Sequence, residues 1–434
     1  MPARRMAELL RVLLVRGIAP LLVPRRWRRA PGPVRLRRAL ETLGGGWGKL
    51  GQLLALRFDL LPEAYCLELF HLLNRAAPFE YAEVERVISE ELGAEIDDLF
   101  STFDAEPFGS ASIGQVHGAV LRDGRRVAVK VQRPGIGALL MCDIALMRRV
   151  ATIVDRTRVL GATRSRDVVD ELARWTREEL DYTVEAANAI ELRAKIRDAD
   201  TEYAPEIHGE YSTCRVLTAE RLDGVPLVDI IRELRDDRDA CRQRLEAAGH
   251  DLEQAAANVA WNFLGQVYAV GVFHGDLHPA NLLLLDGNRI GYVDFGIVGR
   301  IPPEVQQSLG DYARSLFGGD AASAVDQLLR WLRPSVRTNR ARARSDLLRL
   351  TEQFLDDLEQ HIERRRVILA RFQIELLSTA RRHRLSADPL IVLYMKVVLA
   401  MDAVTSELAP ALDLQGVHER FFSELIVEGF ETAS

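Results

Sequence analysis

The sequence is poor in cysteine: its 434 residues include four, and no two of them form a C-x-x-C pair. Their scatter, with no histidine cluster at metal-ligand spacing, argues against structural zinc and against a fold held together by disulfides. It favours a reducing compartment, although a single disulfide stays open. With 48% hydrophobic and 28% charged residues, the chain has the composition of a globular protein rather than a disordered or collagen-like one.

Long apolar runs are also absent. None reaches the roughly 18 uncharged residues that a membrane-spanning helix needs. The longest, residues 390–400, contains Lys396 and stops at Asp402. This run predicts a buried helix, and we expect no transmembrane helix.

The chain has no overall surplus of basic residues, since its formal net charge is −6. Residues 1–38 nevertheless carry eleven arginines and one acid, Glu8, which gives this segment +10 and leaves −16 for the rest. An acidic body argues against a nucleic-acid-binding core, so we expect no nucleic-acid partner. The basic segment favours contact between one end of the chain and an anionic surface.

This basic arm, residues 1–38, mixes Leu- and Val-rich turns with arginines and lacks the small-residue cleavage site of a secretory signal. The pattern is typical of a helix lying in a membrane interface. It predicts a cytoplasmic protein attached peripherally to an anionic membrane surface or lipid. Two alternatives stay open: a helix packed on the protein's own surface, and a mitochondrial transit peptide.

Alternating apolar residues predict two β-hairpins. In the first, strands at 116–120 and 127–131 flank an Asp-Gly turn, and in the second, strands at 282–285 and 290–293 flank residues 286–288. Most of the remaining chain has helical patterning, in segments 39–105, 137–200, 255–270 and 303–434. The sequence therefore predicts an α+β protein.

The strongest local motif is the run HGDLHPAN at residues 274–281, followed by the second hairpin and then by DFG at 294–296. This is the H-x-D…N and D-F-G order of a kinase catalytic centre. A loop carboxylate such as Asp276 can accept a hydroxyl proton or orient a nucleophile. Asn281 and Asp294 offer the hard oxygen ligands that Mg²⁺ prefers. DFG alone occurs by chance, but the two motifs joined by a hairpin are a specific signal.

Two weaker signals lie upstream. Lys130 ends the run VAVK on a predicted strand, where a lysine can reach phosphate oxygens. The small-residue segment 107–116 lies where kinases cover the nucleotide phosphates, but it is not G-x-G-x-x-G. Taken alone, an edge-strand lysine is more often a solvated surface residue, and the loop is a weak phosphate signal.

Together these motifs resemble the UbiB/AarF family of atypical kinases over about residues 40–415. Residues 49–52 (KLGQ) match its K-x-G-Q motif, with Arg57, Asp59 and the run LLP at 60–62 following as they do there. Residues 107–117 match its alanine-rich loop. Residues 179–188 match its E-x-D segment, and the catalytic loop and DFG complete the set in the family's order.

The resemblance implies a two-lobed protein-kinase-like fold with a helical N-terminal extension and additional C-terminal helices. It implies that Asp276 is the catalytic aspartate, that Lys130 binds the nucleotide phosphates and that Glu185 is the ion-pair partner of Lys130. Asn281 and Asp294 would hold Mg²⁺. Lys49 and Gln52 would lie where a peptide substrate otherwise docks. The residues assigned to the nucleotide site are Ala111, Ser112, Lys130, Glu220, Lys49, Gln52, Glu179 and Asp181.

On this basis we divide the chain into four segments: the arm 1–38, a helical extension 39–105, an N-lobe with a helical insertion 106–219, and a C-lobe 220–434 that carries the catalytic loop, DFG and the C-terminal helices. The sequence departs from the family pattern in having GSAS at 109–112, where Ala-Ala-Ala-Ser is typical, so the preference between ATP and ADP stays open. It has no Ala-Pro-Glu after DFG, so we expect no long substrate-gripping activation segment.

The predicted function is that of an ATP- and Mg²⁺-dependent atypical kinase or ATPase, associated with a membrane and supporting isoprenoid-lipid metabolism, most often quinone biosynthesis. Its expected partners are a nucleotide, an anionic membrane or lipid, and quinone-biosynthesis proteins. The first alternative is a protein kinase, and the second is a pseudokinase scaffold for a lipid-modifying complex. The motifs do not identify the phosphate acceptor.

Overall fold

The structure, a computed structural model, describes residues 2–12, 32–55, 61–69, 71–72, 77–157, 165–360 and 365–433. Residues 13–31 of the basic arm, and Arg57, Asp59 and Leu60 after the K-x-G-Q motif, lie outside these ranges. The chain forms two compact units: the first comprises residues 1–184 and 208–220, and the second comprises 185–207 and 221–434. The four-segment division made from the sequence stays a prediction.

The first unit contains a helical layer and a sheet. Its helices are α1 (Pro2–Val12), α2 (Gly32–Leu43), α3 (Gly45–Ala55), α4 (Glu63–Leu69), α5 (Tyr81–Leu92), α6 (Ile96–Leu99), α7 (Ile136–Thr157), α8 (Ser165–Glu179) and the first turn of α9 (Tyr182–Ala194). Apolar side chains of α1–α4, α7 and α8 form one hydrophobic core. A second core joins α5 and α6 to the sheet.

The sheet of the first unit is antiparallel, in the order β1-β3-β4-β6 with β2 paired to β3. Its strands are β1 (Phe100–Phe103), β2 (Gly109–Ser110), β3 (Gly114–Leu121), β4 (Arg126–Gln132) and β6 (Val216–Glu220). The hairpin predicted at 116–131 is thereby confirmed. The helical prediction for 39–105 is wrong at its end, because Phe100 is buried in the sheet core and β1 pairs with β3.

The second unit is mostly helical. Its helices are the rest of α9, α10 (Leu227–Asp236), α11 (Arg238–Ala247), α12 (Leu252–Leu264) with a π-helical continuation at Gly265–Val270, α13 (Pro303–Phe317), α14 (Ala321–Trp331), α15 (Arg340–Gln360), α16 (Arg365–Arg382), α17 (Pro389–Leu408) and α18 (Leu414–Ala433). Asp251 caps α12 by accepting from the amides of Glu253 and Gln254. Asp388 caps α17 in the same way, with proline at its first position.

Short strands of the second unit carry the catalytic loop. They are β5 (Glu202–Tyr203), β7 (Val225–Pro226), β8 (Val272–His274), β9 (Leu282–Leu284), β10 (Ile290–Tyr292), β11 (Val298–Arg300), β12 (Leu332–Pro334) and β13 (Leu385–Ala387). One sheet has the order β5-β10-β9-β7, and β8 pairs with β11. The second predicted hairpin is therefore confirmed as β9–β10. Its turn contains Gly287 and Asn288 at φ 71° and 61°, a backbone region that glycine and asparagine tolerate.

Two further predictions concern the apolar run and the cysteines. Helix α17 contains the run 390–400 and is the one helix in the described part of the chain that is long and apolar enough to cross a membrane. Within the second unit, 44% of its apolar window is buried. All four cysteines lie in the described residues and are free thiols.

Candidate functional site

The catalytic loop begins where β8 ends. Pairing between β8 and β11 aligns His274 with Val298, and the amide of Gly275 donates to the carbonyl of Ile297 at 2.8 Å. A Cβ at position 275 would lie 2.8 Å from that same carbonyl oxygen. Only glycine therefore allows the loop to turn this close to the neighbouring chain, which is a structural reason for the H-G-D sequence.

His274 is buried and connects the two halves of the motif. Its Nδ1 accepts the amide of Asp276 at 3.2 Å, so the ring proton lies on Nε2, which donates to the carbonyl of Asp294. Burial lowers the pKa of His274, which keeps the ring neutral. A neutral histidine with this tautomer fixes the backbone of Asp276 relative to that of Asp294.

The carboxylate of Asp276 is held by two side chains. The Asn281 Nδ2 atom donates to Asp276 Oδ2 at 3.1 Å and to the Asp276 carbonyl at 3.2 Å. On the other oxygen, Lys396 Nζ donates to Asp276 Oδ1 at 2.7 Å as an ion pair. In the sequence, Lys396 is visible only as an interruption of an apolar run. A single lysine in such a run indicates that its ammonium group has an anionic partner within the fold.

Asp294 follows the end of β10, and its surroundings fix the DFG turn. Its Oδ1 accepts the amide of Gly296 at 3.0 Å. The Phe295 ring is buried edge-on to His274, and the Phe295 carbonyl accepts from Asn188 Nδ2 at 2.9 Å. The structure thus assigns Asn188 of the E-x-D segment a role in holding DFG.

A buried polar network supports this loop from behind. Gln266 Nε2 donates to Glu202 Oε2 at 2.7 Å, and Tyr292 donates its hydroxyl to the same oxygen at 3.2 Å. Gln266 Oε1 accepts the amide of His274 at 2.9 Å. Burial raises the pKa of Glu202 to about 7 despite these donors. Sequence reasoning missed both Glu202 and Gln266, because neither belongs to a motif.

The donor set for a divalent cation consists of one carboxylate and one amide. The amide of Val293 donates to the Asn281 carbonyl at 3.2 Å, which brings Asp294, the next residue, close to Asn281 in space. The Asn281 nitrogen is engaged by Asp276, which leaves Oδ1 as the atom that can bind a cation. Mg²⁺ accepts such a site because it takes few protein ligands and fills the rest with water and phosphate oxygens. The described residues contain no cluster of three or more His, Cys, Asp or Glu side chains suited to a metal.

Four of the residues predicted for nucleotide binding lie on or beside the sheet of the first unit. Alternation along β4 buries Val129 and Val131 in the core and places Lys130 on the opposite face, with Nζ 5.1 Å from the centre of the Tyr182 ring. Ala111 and Ser112 form the tip between β2 and β3, where the Ala111 amide donates to the carbonyl of Gly114. The fourth, Glu220, ends β6 opposite Val127.

The K-x-G-Q and E-x-D segments meet inside the first unit. Lys49 of α3 is buried and forms an ion pair with Glu179 at the end of α8, with 2.5 Å between Nζ and Oε1. Gln52 lies one turn further along α3. Asp181 has a structural task, because its Oδ1 accepts the amide and the hydroxyl of Thr183 in the first turn of α9.

The structure therefore brings together two sets of predicted residues. In the second unit these are Asp276, Asn281 and Asp294, and in the first unit Lys49 and Glu179. Glu185 is buried on the part of α9 that belongs to the second unit. Its predicted pairing with Lys130, and the roles of Ala111, Ser112, Gln52 and Glu220, stay predictions.

Comparisons with known proteins agree with these motifs. Residues 71–328 match the family described as the ABC1 atypical kinase-like domain. A protein of Cellvibrio japonicus named "Probable protein kinase UbiB" is 32% identical over 407 residues, which cover 92% of this chain and 70% of that protein. A protein of the same name from Marinobacter nauticus is 32% identical over 418 residues, covering 93% and 72%.

A solved structure is similar as well. The Rv3197–erythromycin complex from Mycobacterium tuberculosis superposes with a TM-score of 0.57 at 26% identity, covering 88% of this chain and 93% of that one. The predicted α+β kinase-like fold is confirmed by this neighbour and by the matched domain. The chain therefore belongs to the ABC1 atypical kinase-like family, the UbiB/AarF family that its sequence motifs resemble.

Proposed function

We propose that the protein is an atypical kinase or ATPase that uses ATP, or ADP, with Mg²⁺. The observation that carries this proposal is the environment of Asp276: its carboxylate is paired with Lys396 and oriented by Asn281, five residues along the same loop. A carboxylate fixed in this way can orient an attacking hydroxyl or water and accept its proton. His274 hydrogen-bonds to the backbone of both Asp276 and Asp294 and so holds the two residues in fixed positions relative to each other.

The roles follow from the residue types. Asn281 and Asp294 would hold Mg²⁺, which when bound neutralises phosphate charge during transfer. Lys130, directed off the core face of its strand, would bind phosphate oxygens, with Glu185 as the residue that the family pairs with it. Ala111, Ser112 and Glu220 would complete the nucleotide site, and Lys49, Gln52, Glu179 and Asp181 would close the approach that a peptide substrate takes in ordinary protein kinases.

For the biological role we propose support of isoprenoid-lipid or quinone biosynthesis at a membrane surface. The shared name of the two relatives, UbiB, supports this pathway and, with it, quinone-biosynthesis proteins as partners, whereas the basic arm supports an anionic lipid surface as a partner. Protein kinase activity is the second candidate, because the relatives' names include "protein kinase". Adding protein, phenolic quinone precursors or anionic vesicles to separate ATPase assays shows which of them stimulates ATP turnover.

The decisive experiment concerns Asp294. We expect Asp294→Asn to abolish the thermal stabilisation by Mg-ATP and Mg-ADP, because a neutral amide cannot replace a carboxylate as a charged, hard ligand. The matched control is Asp286→Asn, which removes an exposed carboxylate from the adjacent hairpin turn and should leave stabilisation intact. Full stabilisation of the Asp294→Asn protein by Mg-nucleotide would contradict the assignment.

A further inference from the structure

A cavity lies inside the helical part of the second unit. Its volume is about 120 Å³, and helices α12 to α18 all contribute side chains to its walls. None of the residues that line it belongs to the set assigned to nucleotide or Mg²⁺. The cavity is therefore a separate feature, and a ligand bound there would not depend on the proposed kinase activity.

The walls are mostly apolar and strongly aromatic. The Phe354 and Phe372 rings stack with centroids 4.2 Å apart, and Tyr312 meets Trp331 edge-on at 5.1 Å. The hydroxyl group of Tyr394 is already used, since it pairs with the hydroxyl of Tyr268 at 2.7 Å. Such a lining favours a flat, uncharged ligand, and the carboxylates that also line the cavity disfavour an anion.

One wall residue lacks the partner that its chemistry requires. Gln373 on α16 is 7% exposed and lines the cavity, yet its Oε1 atom has no hydrogen-bond partner among the residues that the structure describes. Buried acceptors without partners are rare in folded proteins because they lose their hydration without compensation. A ligand in the cavity that carries a hydrogen-bond donor would supply Gln373 Oε1 with the missing partner.

The volume limits the size of the occupant. Engineered apolar cavities of about 150 Å³ stay dry and take up benzene or xenon. A cavity of about 120 Å³ therefore has room for a molecule with a body of about one ring. The position of Gln373 then determines where such a molecule would present its polar group.

We propose that this cavity is a binding site for a neutral, largely apolar molecule of about ring size whose single polar group donates a hydrogen bond to Gln373 Oε1. Aromatic contacts would supply most of the affinity. The glutamine would supply selectivity for a donor over an isostere that lacks one, because only the donor satisfies the buried acceptor.

Three probes of nearly equal shape test the proposal. Pyrrole carries one N–H donor, thiophene carries none, and furan offers only an acceptor. Ligand-observed NMR titrations of the full chain, without nucleotide, should give a Kd for pyrrole at least about tenfold lower than for the other two, as expected for one satisfied buried hydrogen bond. Equal affinities, or tighter binding of furan, would overturn the role of Gln373.

Two variants locate the site. Gln373→Met keeps the side-chain length but removes the acceptor, so the affinity for pyrrole should fall to that for thiophene, while the affinity for thiophene should change little. Leu358→Phe adds volume at a half-buried wall position and should weaken all three probes. If either variant fails to fold, the probe series on the unmodified chain still decides. Failure of every probe to bind saturably would overturn the site, whatever the outcome for Mg-nucleotide binding.

Discussion

At the scale of single residues, the carboxylate of Asp276 is oriented by one side chain from its own motif, Asn281, and by one from outside it, Lys396. Lys396 lies 120 positions away on α17 and reaches Asp276 Oδ1 at 2.7 Å, while Asn281 holds the other oxygen. A charge-assisted hydrogen bond of this kind is stronger than a neutral one. Lys396 is therefore a positioning residue for the proposed catalytic carboxylate.

We expect Lys396→Met to lower kcat for ATP turnover by about 10- to 100-fold with little change in KM, since hydrogen bonds to charged groups contribute ~1.5–3 kcal/mol and each 1.36 kcal/mol is tenfold in rate. Steady-state kinetics measure this split. Lys396→Arg keeps the cation and should restore part of kcat. If Lys396→Met folds and retains the full kcat, Lys396 does not position Asp276 for turnover.

The buried carboxyl of Glu202 has a different consequence, which concerns stability. Its pKa in the fold, about 7, lies above the ordinary value of 4.5 because burial penalises the anion. The folded protein therefore binds a proton at this site that the unfolded chain has already lost between these two pH values. The stabilisation is complete below about pH 4.5 and is lost as the pH rises through about 7.

We expect Glu202→Gln to raise stability at pH 8 by on the order of 2–3 kcal/mol at most and to have little effect at pH 4.5, because the amide oxygen still accepts from Gln266 and Tyr292 without carrying a charge. Denaturant unfolding at the two pH values measures the difference. A variant less stable than the original at pH 8 would show that the anion, not the acid, is the stable form in the fold.

At the scale of secondary-structure elements, the glycine of the K-x-G-Q segment lies where α3 packs against leucine side chains. A Cβ at Gly51 would lie 2.3 Å from the Cδ1 atom of Leu72 and 2.9 Å from that of Leu40 on α2, so both side chains would have to move to admit it. The same helix carries Lys49, which pairs with Glu179 of α8.

We expect Lys49→Ala to change the rate of ATP hydrolysis or autophosphorylation without unfolding the chain. Glu179 is 43% exposed and can be hydrated once the lysine is gone, so the loss of stability should be no more than about 1 kcal/mol. Lys195→Ala, which removes a surface lysine paired with Glu191 at 3.4 Å, is the matched control. Kinetics identical to those of the control would return Lys49 to a purely structural role.

At the scale of the whole molecule, the dominant feature is the unequal distribution of charge: +10 on residues 1–38 and −16 on the rest. The described start of the arm, α1, packs into the helical core of the first unit through Val12. Arg5 donates to both oxygens of the fully buried Asp143, which also accepts the amide of Gly46. For residues 2–12 this supports the alternative in which the arm is part of the fold.

An experiment can distinguish the role of the later arginines of the arm from the structural role of α1. We expect replacement of Arg25, Arg26, Arg28 and Arg29 by Gln to weaken co-sedimentation with anionic vesicles, by up to about 1 kcal/mol per charge, and to leave the melting temperature unchanged. Arg5→Ala should instead lower the melting temperature, because it strands a buried carboxylate. Raised salt should weaken binding of the original chain, and neutral vesicles should bind it poorly. Unaltered vesicle binding after the four replacements would exclude the membrane role of these arginines.

Features that depend on local order could be predicted from the amino-acid sequence: the two hairpins with their turn residues, most of the helical segments, the spacing of HGDLHPAN and DFG, and through these motifs the family and the kinase-like fold. Contacts between side chains that are far apart in the sequence could be identified only from the tertiary structure. The Lys396–Asp276 pair, the Glu202–Gln266 network, Arg5 on Asp143 and the cavity with Gln373 each join residues at least 64 positions apart, or helices from different parts of the chain. Periodicity shows which face of an element is buried, but not which element covers that face, and a buried charge or amide acquires its role only from the group that is packed against it.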